Sequence, residues 1–204
     1  MSSIQGAGSP PKMDGVFKNG SEHDGQTDCS RSLSLRVATA NQLDAAILGT
    51  AVRLQVLDLS GVALWSSGVV RVAVALHWLP EMHTLALSDV HLAHVAVGKS
   101  GGRATDLAGA AALGESLRRR FSCDSAVAAV ETLDLSRNAL DIPALHATLA
   151  RVRGLTALDI CQNKLKGRAA AAEVRAVARR NDLCHLRSAG NGADVVGSAR
   201  TRLC

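Results

Sequence analysis

The sequence predicts an α/β fold made by stacking one unit several times: a curved parallel sheet of short strands inside, with helices outside. Three observations predict it. A short pattern of leucines recurs along the chain, the stretch after each copy switches to helical spacing, and only 2% of the residues are aromatic. A core with so few rings must be filled by Leu, Val, Ile and Ala in many thin layers, which is how stacked repeats bury apolar surface.

The copies read Leu54-QV-Leu57-D-Leu59-SGVA-Leu64, Met82-HT-Leu85-A-Leu87-SDVH-Leu92, Val130-ET-Leu133-D-Leu135-SRNA-Leu140 and Leu155-TA-Leu158-D-Ile160-CQNK-Leu165. A weaker fifth copy is Leu183-CH-Leu186-R-Ser188-AGNG-Ala193, and Leu33 with Leu35 suggests a degenerate strand ahead of the first. Each aligns to L-x-x-L-x-L-x-x-N-x-L. Positions 4 and 6 lie two apart, so they enter the core from the same side of a strand, while positions 1 and 11 turn inward where the chain enters and leaves it. Strands are therefore expected near 54–59, 82–87, 130–135, 155–160 and 183–188. The Asn at position 9 can bond backbone groups in the bend as a ladder shared between copies. Asn138, Asn163 and Asn191 occupy it, whereas Val62 and Val90 replace it in the first two copies, whose turns are expected to be less regular.

Helical spacing follows each strand. Gly68, Val72, Leu76 and Leu79 form one stripe closed by Pro80; Leu107, Ala110, Leu113, Leu117 and Phe121 form another, with Thr105 as its expected N-cap. Leu145, Leu149 and Val152 precede the fourth copy, Ala170, Val174 and Val177 the fifth, and Leu43, Ile47 and Ala51 the first. The copies start at 54, 82, 130, 155 and 183, so the second step is far longer than the others. It reads as one repeat with insertion loops near 93–104 and 122–129. Residues 1–30 combine Gly, Ser and Pro with scattered charge and no apolar periodicity, the composition of a disordered tail ahead of a repeat domain over 31–204. After Ala193 the segment DVVGSARTRLC offers little to cover the last core layer.

These motifs resemble leucine-rich repeats over about residues 43–193, and the Leu-x3-Gly-x3-Val-x3-Leu run after Leu64 is similar to the ribonuclease-inhibitor-like subclass. The Ile142-Pro143 connection is closer to shorter repeat types. The resemblance implies a leucine-rich-repeat solenoid. Ran GTPase-activating proteins share such repeats and act through an arginine, but no arginine stands out here as a finger. A cytoskeletal or flagellar scaffold is a further expectation of the same kind.

Composition narrows the function. Few aromatic residues leave no stacking platforms for single-stranded nucleic acid. The apolar run from Gly68 to Leu79 is too short to span a bilayer and carries Arg71 and His77. No apolar h-region opens the sequence, and five cysteines form no CxxC, so a reducing, cytoplasmic setting is expected. The stretch Ala93-HVAV-Gly98-Lys99-Ser100 satisfies a relaxed phosphate-loop pattern, but its inner residues hold no Gly and Gly101-Gly102 interrupt where a helix should begin. His77, His83, His91 and His94 cluster in sequence without a carboxylate or Cys to complete a metal set. Neither cofactor nor metal is expected. Arginines at 118–120, 151, 153, 179 and 180 end helices, where cations complement the dipole.

What remains is a binding surface. Positions 2, 3, 5, 7 and 8 should point to the exposed strand face, about 25 Å across for five strands. The expected partner contacts are Asp58, Asp89, Glu131, Asp134, Arg137, Asp159, Gln162, His185 and Arg187. That face is acidic in the middle and basic at its C-terminal end. It suits another protein with a basic surface rather than a nucleic acid or membrane, and no catalysis is expected of it.

Overall fold

In the computed structural model each leucine motif contributes a short strand to one parallel sheet. The structure describes residues 33–36, 53–97, 103–120, 129–181, 183–192 and 195. The chain divides into two units, Met1–Arg31 and Ser32–Cys204, and all described residues belong to the second. In chain order the elements are β1 (Leu33–Arg36), β2 (Leu54–Asp58), α1 (Trp65–Ala75), a 3-10 turn (Leu76–Trp78), β3 (Thr84–Ala86), β4 (His94–Val97) and β5 (Arg103–Asp106). They continue as α2 (Ala108–Arg120), β6 (Thr132–Asp134), α3 (Ile142–Leu149), β7 (Ala157–Asp159), α4 (Gly167–Asn181) and β8 (His185–Arg187).

The sheet runs β1-β2-β3-β6-β7-β8, so β3 pairs directly with β6 and the long second step is a single sheet-to-sheet crossing. Register follows the motif: Leu57, Leu85, Leu133, Leu158 and Leu186 stand opposite one another at position 4. The degenerate strand at Leu33 is present as β1, with Leu35 opposite Leu57, so this sheet has six strands, one more than the four clear copies and the weaker fifth supply.

Positions 1, 4, 6 and 11 of the first four copies are buried and join the inward residues of α1–α4 in one core. The helices thus cover one face of the sheet, and they pack against each other in chain order. The approach is close where Gly114 of α2 meets α3: a Cβ there would strike Ala147 O and come within 2.7 Å of Thr148 O. The C-terminal layer is thinner, since Ser188 stands at position 6 and Leu186 is only partly buried, but Val195 joins the core behind it. Leu133→Ala is expected to cost about 3 kcal/mol in chemical denaturation, because Leu133 is 1% exposed and the surrounding layers cannot collapse into its place. A near-parental midpoint would mean that the register is wrong.

Two expectations are corrected. The region 93–104 is not a simple insertion loop, because β4 and β5 form an antiparallel hairpin with Val95 opposite Thr105. The GKSGG segment lies outside the described residues, but its flanks link strand to strand instead of strand to helix, and a phosphate loop needs the latter. Thr105 is also not the cap of α2. It lies within β5 and donates to Asp141 Oδ2 at 3.1 Å, while Asp106 Oδ1 accepts from Ala108 N at 3.0 Å. Asp141 itself caps α3 by accepting from Ala144 N at 3.0 Å. The 1–30 tail, the expected helix through Leu43, Phe121 and nearly all of 122–129 lie outside the described residues.

Candidate functional site

The exposed strand face is built by period-two alternation. Because positions 4 and 6 point into the core, positions 3 and 5 of the same strands face away from it. Position 5 runs across the sheet as Asp58, Ala86, Asp134, Asp159 and Arg187, with Arg36 in register beside Asp58. Neighbouring strands lie about 4.8 Å apart, so Asp134, Asp159 and Arg187 are adjacent charges, with Ala86 between them and Asp58.

The aspartates in the row also build their own turns. Asp58 Oδ1 accepts from Ser60 N at 2.9 Å, Asp134 Oδ1 from Ser136 N at 2.8 Å and Asp159 Oδ1 from Cys161 N at 2.8 Å. One oxygen of each is therefore fixed, which orients the other. Asp159 uses its second oxygen on Arg187 Nη1 at 3.2 Å; Arg187 is highly exposed, whereas Asp159 is mostly covered. The second oxygen of Asp134 has no partner among the described residues. Burial raises the Cys161 thiol, and the neighbouring Asp159 raises it further, so it stays protonated beside that carboxylate.

A second row lies in the turns. Position 8 is left-handed in every copy, at Gly61, Asp89, Arg137, Gln162 and Gly190. Each N–H there donates to the position-7 carbonyl of the next copy where one follows, as in Asp89 N to Ser136 O at 3.0 Å and Arg137 N to Cys161 O at 2.9 Å. The conformation is imposed by this ladder, and it leaves the side chains of Asp89, Arg137 and Gln162 exposed. Asp89 lies 3.9 Å from His91 Nδ1, and His91 stacks edge-on to Trp65 with ring centroids 4.5 Å apart.

The nine expected contacts fall on several rows: four at position 5, one at position 2, one at position 3 and three at position 8 in the turns. Asp134, Asp159 and Arg187 stand side by side at position 5, and Asp58 is separated from them by Ala86. Glu131 is exposed at position 2, where its carbonyl also receives Thr156 N at 2.8 Å. His185 is exposed at position 3 of β8, in register with Ala157 and Thr132. The four histidines noted in the sequence are dispersed over the 3-10 turn, the start of β3, the turn after it and β4. Among the described residues no three His, Cys, Asp or Glu side chains gather as a group that could hold a metal ion. No described helix is long and apolar enough to cross a membrane.

Sequence reasoning did not anticipate what the helix-end arginines do. Arg120 is 5% exposed and donates to Leu76 O, Leu79 O and Met82 O at 2.7, 2.9 and 2.7 Å. Arg180, also in the last turn of its helix, reaches Leu149 O of α3 at 3.0 Å. These side chains bind carbonyls of the preceding helix end, not only their own dipole. Arg118 and Arg119 both pair with Glu115, at 2.7 and 2.9 Å, and hydrogen bonds from Arg118 and then Arg119 hold its carboxyl down to about 2.

No protein-family model matches the chain, and no curated protein matches it either.

Proposed function

We propose that the chain is a leucine-rich-repeat solenoid that binds another protein on the concave, exposed face of its sheet, in the cytoplasm and without catalysis, cofactor or metal. The observation that carries this reading is the position-5 row, where carboxylates stand in register across parallel strands. A row of turn-anchored acids is rigid and repeats at strand spacing, which suits an extended protein surface. It suits acid–base chemistry poorly, because each aspartate spends an oxygen on its own turn and Asp159 spends the other on Arg187. The acidic character therefore concentrates at Asp134 with exposed Glu131 of the same copy, and that is where a basic group of the partner belongs.

The test keeps the turns intact. Charge reversal at Asp134 would destroy the acceptor for Ser136 N, so Asp134→Asn is combined with Glu131→Gln, which removes charge and keeps the hydrogen-bonding shape. In quantitative affinity capture from cells, the double variant is expected to lose partners that the parent retains, and parental capture should weaken as salt rises. Its melting temperature should not move. Capture that survives both the substitutions and high salt would place the working surface elsewhere.

A further inference from the structure

We propose that the outer edge of β8 is a docking site for an extended segment of another protein, which adds to the sheet as a further parallel strand and sets a carboxylate beside Arg187. The site is the rim of the sheet, so it stands independently of the face reading above.

β8 closes the order of the sheet, and among the described residues its strand partner is β7 alone. Every earlier copy gives the same backbone groups to the copy that follows it. The position-6 N–H donates to the next position-5 carbonyl, as in Leu135 N to Asp159 O and Ile160 N to Arg187 O, both at 2.8 Å. The position-8 N–H donates to the next position-7 carbonyl, as in Gln162 N to Ala189 O at 2.7 Å. In the fifth copy those donors are Ser188 N and Gly190 N, and among the described residues nothing accepts from either. Asn191 N is in the same condition, whereas Asn138 N and Asn163 N each reach the Asn Oδ1 of the following copy at 3.0 and 3.1 Å. Ser188 is buried, which makes an unmet N–H there costly. Leu186 is half-buried, whereas Leu85, Leu133 and Leu158 at the same position are at most 3% exposed, so the last layer is open on this side. Donors in ladder register beside a half-covered leucine are what strand addition requires.

Charge fixes the residue opposite Arg187. Its Nη1 holds Asp159 Oδ2 of β7 at 3.2 Å, and among the described residues nothing accepts from its Nε or Nη2. An acid at position 5 of the incoming strand lies about 4.8 Å away on the other side, so that the guanidinium stands between two carboxylates. A second copy of this chain stacked head to tail supplies the opposite sign. Its β1 would bring Arg36 into register with Arg187, and like charges directly opposite destabilise pairing. The occupant is therefore a strand of a different protein, apolar opposite Leu186 and acidic opposite Arg187. An Asn four residues after the acid would accept from Asn191 N, as the ladder does elsewhere.

The probe is the synthetic peptide LTALDISQNKL, the strand and turn of the fourth copy with serine in place of Cys161. That strand already stands beside β8 in the structure, with its acid on Arg187. With excess peptide, hydrogen exchange at the Ser188, Gly190 and Asn191 amides of the full chain is expected to slow at least roughly tenfold. N-methylation of the peptide at Ala157 and Asp159, whose N–H groups face β8 in this register, should abolish the protection. N-methylation at Leu158 and Ile160, whose N–H groups face away, should not. Lysine for Asp159 in the peptide should raise Kd at least roughly tenfold, and Arg187→Gln in the chain should do the same, while Asp134→Asn in the chain leaves it unchanged. Amides that stay unprotected, the reverse N-methylation preference, or binding that the lysine peptide keeps overturns the proposal. So does protection of the same amides in the chain alone as its concentration rises, which would give the edge to a second copy.

Discussion

Asn138→Val is expected to cost about 4 kcal/mol in chemical denaturation, more than any single leucine truncation in the same layer. Asn138 is fully buried, and its side chain serves the turn of the copy before it. Its Oδ1 accepts from Val90 N at 3.0 Å and Leu92 N at 3.1 Å, and its Nδ2 donates to Leu87 O and to Ser136 O. Valine would fill the space but leave those N–H groups and the Leu87 carbonyl buried without partners, each at about 1–3 kcal/mol. Ser136 O is partly protected because it also receives Asp89 N. Asn191→Val should cost about half as much, since Asn191 is only partly buried at the last described layer and water can replace it. Near-parental stability of Asn138→Val would mean that the turn after β3 has rearranged to satisfy itself.

The first copy gives the form of that rearrangement, and it corrects the sequence reading. Valines at 62 and 90 led to the expectation that the first two turns would both be irregular. The ladder runs backwards: Asn163 Oδ1 accepts from Asn138 N and Leu140 N, and Asn191 Oδ1 from Asn163 N and Leu165 N. A missing Asn therefore affects the turn preceding it. Val90 takes the side-chain acceptor from the turn after β2, where Val62 N donates to Leu59 O and Leu64 N to Val62 O within the same turn. The turn after β3 is regular because Asn138 lies in the next copy. Periodicity could not reveal this, because it identifies which residue faces inward and not which neighbour that residue serves.

The same distinction separates what else was legible. Leucine spacing located the strands of the parallel sheet and inward residues on all four helices, since burial at positions 4 and 6 is dictated by period alone. It placed Asp58, Asp134, Asp159, His185 and Arg187 at positions 3 and 5 of their strands, which face away from the core. It did not disclose that Asp58, Asp134 and Asp159 are turn acceptors or that Asp159 meets Arg187, since an i-to-i+2 hydrogen bond and a cross-strand ion pair both need coordinates. The β4–β5 hairpin was missed because its strands are outside the repeat register. A signal was present in His94–Val97 and in Val95 opposite Thr105, β-branched residues on both sides of a Gly-rich link, but it resembled a loop of low complexity.

The run of three arginines that ends α2 separates by burial, and this carries the last expected result. Arg120→Met should cost about 3 kcal/mol, while Arg119→Met on the same turn should leave the melting temperature close to the parent's. Arg119 is 72% exposed and its pairing with Glu115 is duplicated by Arg118. Arg120 is buried, and burial holds its guanidinium down to about 10, still well above neutral, so a full charge sits beneath the 3-10 turn. The three carbonyls around it repay the desolvation. Leu76 O and Leu79 O also receive Leu79 N and Met82 N, so methionine strips them only of a second partner. Met82 O depends on Arg120 more heavily, and it opens the third strand's motif. Arg120→Lys should recover part of the loss, because one ammonium keeps the charge but cannot span three carbonyls in a plane. Equal cost for Arg119→Met and Arg120→Met would indicate that the run acts as a block of charge at a helix end. A cost confined to Arg120, partly rescued by lysine, would identify it as the bolt between α1 and β3.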